Sequence, residues 1–230
     1  MNLVVTMTAY RRPEYTRQVL AALADCRGIE NCLFLPQVEP GHEEVIQLFR
    51  GWDACESRLI VNPQRLGLNR NSFTALMRAR QAKCDAVIHV EDDTVPSPDT
   101  LDFFRWGFEQ FEHDHSVFSL GAWNKPDTEP LPAQSHECCS RNWLWRFGWG
   151  TWKNRLGQIL ANWCFRNPKN FGWHINTTRG NRREIHPVLS RIQNIGYEQG
   201  ESGYSPEWYR ANHRTPWVAT DSDLLQFALK

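Results

Sequence analysis

Three carboxylates stand side by side at Glu91, Asp92 and Asp93, directly after the short apolar run Ala86-Val87-Ile88-His89-Val90. Acids this close repel one another unless something positive shares the charge. Hard oxygen ligands suit Mg²⁺ or Mn²⁺, ions that keep water and bridge to substrate phosphates. That chemistry calls for a nucleoside diphosphate. A solvated acidic turn, with Asp92 or Asp93 capping the next helix, accounts for the same spacing. In TAYRRPEY, Arg11 and Arg12 precede a proline-led segment. A guanidinium fork beside helix amides grips a diphosphate, although exposed arginines also occur there without a ligand. Glu39 can accept hydrogen bonds from a ribose or a base, or simply lead an acidic helix start.

These residues need a scaffold, and the pattern supplies an α/β one. Residues 3–6 read as a strand, and Pro13 opens a helix with Val19, Leu20 and Leu23 on one face. Residues 32–38 form the second strand, followed by a helix over 43–49. Residues 59–61 form the third strand, the loop NPQRLGLN follows, and a helix runs over 71–82. The run 86–90 is the fourth strand, ending in the acids. A helix over 100–111 and a strand over 117–121 follow. Strands alternating with helices argue for a mostly parallel sheet, and such sheets bind ligands at the carboxyl ends of their strands. Beyond residue 122 the chain is rich in Trp, Pro and Asn and weakly periodic. It therefore reads as one domain over 1–230, with a nucleotide-binding half (1–121) and a loop-rich acceptor-binding half (122–230).

Composition narrows the class. The 230 residues are 41% apolar and 12% aromatic, as in folded globular proteins. Lys and Arg number 26 and Asp and Glu 26, so no overall positive field gathers nucleic acid. No apolar stretch approaches a membrane span, and MNLVVTMTAYRRP is too short and too soon charged for a secretory signal. The expectation is a soluble, cytoplasmic protein. The seven cysteines show no repeated Cys-x-x-Cys spacing, so reduced thiols are expected. His136, Cys138 and Cys139 imitate half a metal site, but adjacent cysteines reach one tetrahedral ion poorly. A loop is expected there.

The succession AYRRP, QVEPGHEE, LGLNRNSFTAL, VEDD, FGWGTW and HPVLSRIQNIGYEQGESGYSPEWYRANH, across residues 3 to 213, resembles GT-A fold glycosyltransferases. It looks most like the eukaryotic α-mannoside β-N-acetylglucosaminyltransferases, and also resembles bacterial and viral proteins with a WGWATW-like segment. The resemblance implies a GT-A, Rossmann-like sheet flanked by helices, a nucleotide-sugar donor (a UDP-sugar above all), Mn²⁺ or Mg²⁺, and inversion at the anomeric carbon. It assigns Tyr10 and Arg12 to the nucleotide and its diphosphate, and Glu39 to the uracil or ribose. Asn71 falls in the nucleotide pocket, where the family more often has histidine. Glu91 and Asp92 support the ribose and the metal's waters, Asp93 is the direct metal ligand, and His213 adds a second.

The family's base is an aspartate in a Trp-Asp pair. Here FGWHINT places His174 after Trp173, and a neutral imidazole can serve near pH 7. Glu184 and Glu201 are the fallback bases, and Asp127 a weaker one. Trp143, Trp145, Trp149 and Trp152 offer an aromatic wall for the acceptor or the sugar, with core packing expected of at least two. Residues 196–204, with three glycines, read as a loop that orders over the donor.

A glycan, a protein side chain or a hydroxymethylated DNA base would each present a hydroxyl. For DNA, Arg179, Arg182 and Arg183 would contact the backbone. Two other classes compete. A nucleotidyltransferase shares strand-end acids but needs a glycine-rich phosphate loop that TAYRRPEY lacks. A nucleotide-sugar-binding protein without turnover fits the histidine at the base position.

Overall fold

A computed structural model describes residues 1–125, 136–166, 172–196, 205–212 and 227–229, with the side chains of 172–174, 209 and 212 left aside. The elements run β1 (Leu3–Ala9), α1 (Pro13–Ala24), a 3₁₀ turn (Ile29–Asn31), β2 (Leu33–Val38), α2 (Glu43–Arg50), β3 (Glu56–Ser57), β4 (Ile60–Val61) and α3 (Leu68–Gln81). Next come β5 (Ala86–Glu91), β6 (Thr94–Pro96), α4 (Thr100–Gln110), β7 (Val117–Gly121), β8 (Glu137–Arg141), β9 (Trp149–Trp152) and α5 (Lys153–Ala161). The rest are α6 (Gly172–Arg179), β10 (Arg183–Pro187), β11 (Ile192–Asn194), α7 (Pro206–Asn212) and β12 (Ala228–Leu229).

Ten of these strands form one largely parallel sheet in the order β12-β8-β10-β7-β9-β5-β1-β2-β3, with β4 also on β2. The α/β architecture expected from the alternation is the one observed. β1 is buried along its whole length and pairs in parallel with β2 on one side and β5 on the other. Its side chains alternate between two cores, as the twofold repeat of a strand requires. Leu3, Val5 and Met7 meet the core under α1, α2 and α4, whereas Val4 meets that under α3, α5 and α6.

β9 lies antiparallel between β5 and β7, which are therefore parallel to each other. A Cβ on Gly150 of β9 would stand 2.8 Å from the Phe108 ring and 2.9 Å from the Val87 carbonyl, so only glycine lets the strand lie this close. The carboxyl ends of β1, β2, β5 and β7 consequently open on one edge.

Several details depart from the sequence expectations. The third strand is two short pieces, β3 and β4, on the half-exposed edge beside β2. The helix expected from 71 begins at Leu68, because the Glu39 carboxylate receives the amides of Leu66 and Gly67 just ahead of it. Acceptors at a helix start satisfy donors that have no partner within the helix. Cys138 and Cys139 lie in β8 instead of a loop, and all seven cysteines are unpaired thiols. The half beyond residue 122 is more regular than its sequence suggests: β8 to β10 and β12 continue the main sheet.

A second, two-stranded sheet pairs β6 with β11 in antiparallel register. It is fastened to α4 by an ion pair without solvent exposure, in which Arg191 Nε donates to Asp99 Oδ2 at 2.6 Å. Ser97 N and Thr100 Oγ1 both donate to the Arg191 carbonyl, at 2.8 and 2.6 Å.

Candidate active site

β5 delivers its last residue, Glu91, to the open edge, and the chain reverses at once. Thr94 Oγ1 stands 2.9 Å from both the amide and the carbonyl of Glu91, closing a tight turn that turns Asp92 and Asp93 toward β1. Arg12 meets them there, at the start of α1. Its Nη1 donates to Asp93 Oδ2 at 2.7 Å, its Nη2 binds Asp92 Oδ1, and the Tyr10 amide lies 3.4 Å from Asp92 Oδ2. The sequence reading set Arg12 and the acids at the carboxyl ends of separate strands, with no direct contact between them. The parallel pairing of β1 with β5 brings them together.

All three carboxylates are buried. Burial raises the Glu91 pKa to about 7, with Arg146 opposing the shift and Asp93 adding to it. Burial likewise raises Asp92 to about 6, against the pull of Arg12. For Arg12, loss of solvent disfavours the charge, but Asp93 and Asp92 outweigh that loss and hold the guanidinium above its usual range. Arg146, on the turn before β9, had no signal in the sequence.

Three buried carboxylates crowded beside Arg12 and Arg146 are a setting in which a divalent cation is favourable. Among the described residues no group of three or more His, Cys, Asp or Glu side chains forms a cage for a metal. An ion held by one or two carboxylates and by substrate phosphates is compatible with this donor set, in which Asp93 and Asp92 could take part.

Glu39, at the end of β2, forms the second pole. Gly67 N donates to Oε1 at 2.7 Å, Leu66 N reaches both oxygens at 3.1 and 3.0 Å, and Asn62 Nδ2 donates to Oε2 at 2.9 Å. The same Asn62 amide donates to Asn71 Oδ1 at 2.8 Å, and Gln37 Nε2 donates to Asn62 Oδ1 at 2.9 Å. Glu39 and Asn71 are thus linked through the Asn62 amide. The carboxylate, however, spends its acceptor capacity on the 62–67 loop. That loop carries Arg65, whose guanidinium carbon lies 4.7 Å from the Tyr10 ring centroid, with the His42 ring edge-on to Tyr10 at 4.8 Å. Asn62 and Arg65 escaped the sequence reading because side-chain convergence leaves no spacing pattern.

Glu184 has a different setting. It is fully buried on β10, and it accepts from Arg141 Nη2 at 2.6 Å, Arg141 Nε at 2.8 Å, Ser119 Oγ at 3.0 Å and the Trp145 amide at 3.3 Å. Burial raises its pKa despite Arg141. The group ties β7, β8 and the turn before β9 together. His174 lies on α6 with its side chain outside the description, and Glu201, His213 and Asp127 lie outside the described residues, as does all of the 196–204 loop but Gly196.

Trp149 and Trp152 are core residues, as expected of two of the four tryptophans, whereas Trp143 is exposed. Trp145 sits at 4.9 Å from the Trp123 ring and 6.1 Å from that of Phe147. The arginines considered for DNA are engaged within the fold. Arg182 donates to the carbonyls of Arg179 and Thr178 and to Gln158 Oε1 at 2.7–2.9 Å, and it lies 4.3 Å over Phe118. Arg183 donates to Ser116 Oγ at 3.0 Å and faces Asp114 at 3.4 Å.

Among solved structures, the chain is similar to the mannosyltransferase PcManGT from Pyrobaculum calidifontis in complex with GDP-Man and Mn²⁺. The TM-score is 0.64 at 15% identity, covering 86% of this chain and 58% of that one. The two share a fold. The chain is also similar to S. aureus TarS 1–349 in complex with UDP-GlcNAc, with TM-score 0.64, 14% identity, and 91% of this chain and 63% of that one covered. S. aureus TarS itself gives TM-score 0.61 at 13% identity, covering 83% of this chain and 35% of that one. This chain spans about three fifths of the length of the first two. No protein-family model and no curated protein matches the sequence. Among the described residues no helix is long and apolar enough to cross a membrane.

Proposed function

We infer that this protein is a metal-dependent glycosyltransferase that moves a sugar from a nucleotide diphosphate sugar, with a UDP-sugar as the preferred donor, to an acceptor hydroxyl. The observation that carries this reading is the buried acid triplet at the carboxyl end of β5, joined to Arg12 at the start of α1. It stands in a fold shared with a mannosyltransferase whose structure holds GDP-Man and Mn²⁺. The likeness to β-N-acetylglucosaminyltransferases belongs to the same proposal.

In this reading Asp93, with Asp92 beside it, would hold Mn²⁺ or Mg²⁺, with His213, outside the described residues, assigned as a further ligand by the family resemblance. Such an ion would supply charge neutralisation of the departing pyrophosphate, lowering the barrier to breaking the sugar–phosphate bond. Arg12 exchanges its carboxylate partners for diphosphate oxygens. The 62–67 loop, braced by Glu39 and Asn62 and joined to Asn71, lines the nucleoside side, where Tyr10 offers a ring face. Glu91, whose pKa burial raises to about 7, would be drawn to its charged form by a bound cation and so add to the field that holds it.

We assign the base to His174, which would take the acceptor hydroxyl proton as the new C–O bond forms and the sugar–phosphate bond breaks, giving inversion. Glu201 is the second candidate for that proton. Glu184, with four hydrogen bonds and no solvent exposure, serves as a brace. The half-buried and exposed aromatic residues Trp145 and Trp143 suit the apolar face of an acceptor sugar. With Arg182 and Arg183 engaged internally, a glycan is the acceptor class we favour over DNA.

The test is incubation of the purified protein with UDP- and GDP-sugars and Mn²⁺, scored for released nucleoside diphosphate. Release that requires the metal supports the reading. Pyrophosphate from sugar phosphate and nucleoside triphosphate would replace it with a nucleotidyltransferase, and donor binding without release would leave a binding protein.

A further inference from the structure

We propose that Asn194 is the positioning residue for Asp93, fixing that carboxylate in the orientation in which it takes up a divalent cation together with a nucleoside diphosphate. The proposal rests on Asp93 as a cation ligand in the reading above, and it adds a residue to which neither the spacing nor the family resemblance assigned a part.

Asn194 is the last residue of β11, opposite Thr94 of β6. Its Nδ2 donates to Asp93 Oδ1 at 2.9 Å, while its own Oδ1 accepts the Gly196 amide at 3.1 Å. These two bonds fix which way the amide faces, because only the nitrogen can donate to a carboxylate and only the oxygen can receive an N–H. The backbone repeats the hold, with Ile195 N donating to the Asp93 carbonyl at 2.8 Å. Asn194 is buried, so the contact forms where water competes poorly and an aligned hydrogen bond has its full orienting effect.

The two oxygens of Asp93 are thereby made unequal. Oδ1 is committed to a neutral amide of the protein. Oδ2 faces the guanidinium of Arg12, a partner that donor binding can draw away. Gly196 closes the arrangement from the other side. A Cβ there would stand 2.0 Å from Asp93 Oδ2 and 3.0 Å from Arg12 Nη1, so glycine is the residue that leaves the cation side open. The turn is anchored in turn, because Arg191 at the head of β11 is pinned to Asp99 in the protein interior. A ligating carboxylate whose second oxygen is held this way binds metal more tightly than one free to rotate, and loss of such a partner costs roughly 10–100-fold in metal affinity.

The experiment measures Mn²⁺ uptake by electron paramagnetic resonance, with UDP and GDP in parallel, for the wild type and Asn194→Ala. A second titration follows the same nucleotides without metal, and thermal melting establishes that the variant is folded. The expected result is a Kd for Mn²⁺ raised about 10-fold or more, with metal-free nucleotide affinity unchanged. If Asn194→Ala does not fold, Asn194→Ser, too short to reach Asp93, carries the same expectation. Equal Mn²⁺ affinity in a folded variant overturns the proposal, and so does a matching loss of metal-free nucleotide affinity, which marks general damage. Absence of Mn²⁺ uptake by the wild type overturns the metal reading itself, and is distinguished by appearing before any substitution.

Discussion

Arg12 reaches across 81 positions of the chain to donate from Nη1 to Asp93 Oδ2 at 2.7 Å, while its Nη2 binds Asp92. Under the proposed function, a cation of the protein stands where a metal and a diphosphate would bind. This makes Arg12 both a structural counter-ion and the residue best placed to follow the phosphates.

Arg12→Ala should destabilise the metal-free protein by about 3 kcal/mol, since breaking a buried pair strands the carboxylates it faced. Added Mn²⁺ should restore part of that loss. Thermal melting with and without the ion reads both effects, and an unchanged metal-free midpoint would remove the counter-ion role.

Asp93→Ala and His174→Ala are predicted to separate binding from chemistry. The first should abolish metal-dependent donor binding in calorimetry. The second should spare binding and lower kcat by about 10²–10⁴, the usual contribution of a general base. Full turnover after His174→Ala would move the base to Glu201.

Glu39→Gln replaces one acceptor oxygen with a donor that must face an N–H of Leu66, Gly67 or Asn62. We expect a loss of about 2 kcal/mol, the typical cost of a buried group left without a partner, together with weaker binding of the nucleotide. Urea denaturation and a UDP titration check the two parts. Loss of binding alone, at full stability, would show that the carboxylate reads the nucleotide directly.

His186 supplies a pH dependence whose sign can be worked out. Burial, with Arg141 adding to it, lowers its pKa to about 3, although the Pro187 carbonyl favours the charged ring. Between pH 3 and the unfolded value of about 6.5, the unfolded chain holds a proton that the folded one does not. Its contribution is present above 6.5 and lost as pH falls, at about 1.4 kcal/mol per pH unit. His186→Gln should therefore flatten the acid limb of the stability profile. Parallel limbs for the two proteins would contradict this.

The parallel half of the sheet was legible because β1, β2 and β5 are short apolar runs set between helix-period segments, and that pattern follows from burial on both faces. The acids at the end of β5 were legible for the same reason. β9 was not, since Trp149–Trp152 has no alternation, and its place depends on the close approach that Gly150 allows. The resemblance named Glu39, whereas its partners are set by a loop folding back over the strand end. Asn194 lies 101 positions from Asp93, and no local signal marks such a contact.

Arg191 meets Asp99 across 92 residues, and this sets an order of events in biosynthesis. The β1–α1, β2–α2, β4–α3 and β5–α4 units can assemble while the ribosome is still producing the remainder, yet the strand bearing Asn194 docks only after residue 191 has emerged. Loop closure of that length is slow compared with local pairing. We therefore expect protection of the residue 92–99 amides from hydrogen exchange during refolding to lag behind that of β1. Simultaneous protection would show that the second sheet needs no such late fastening.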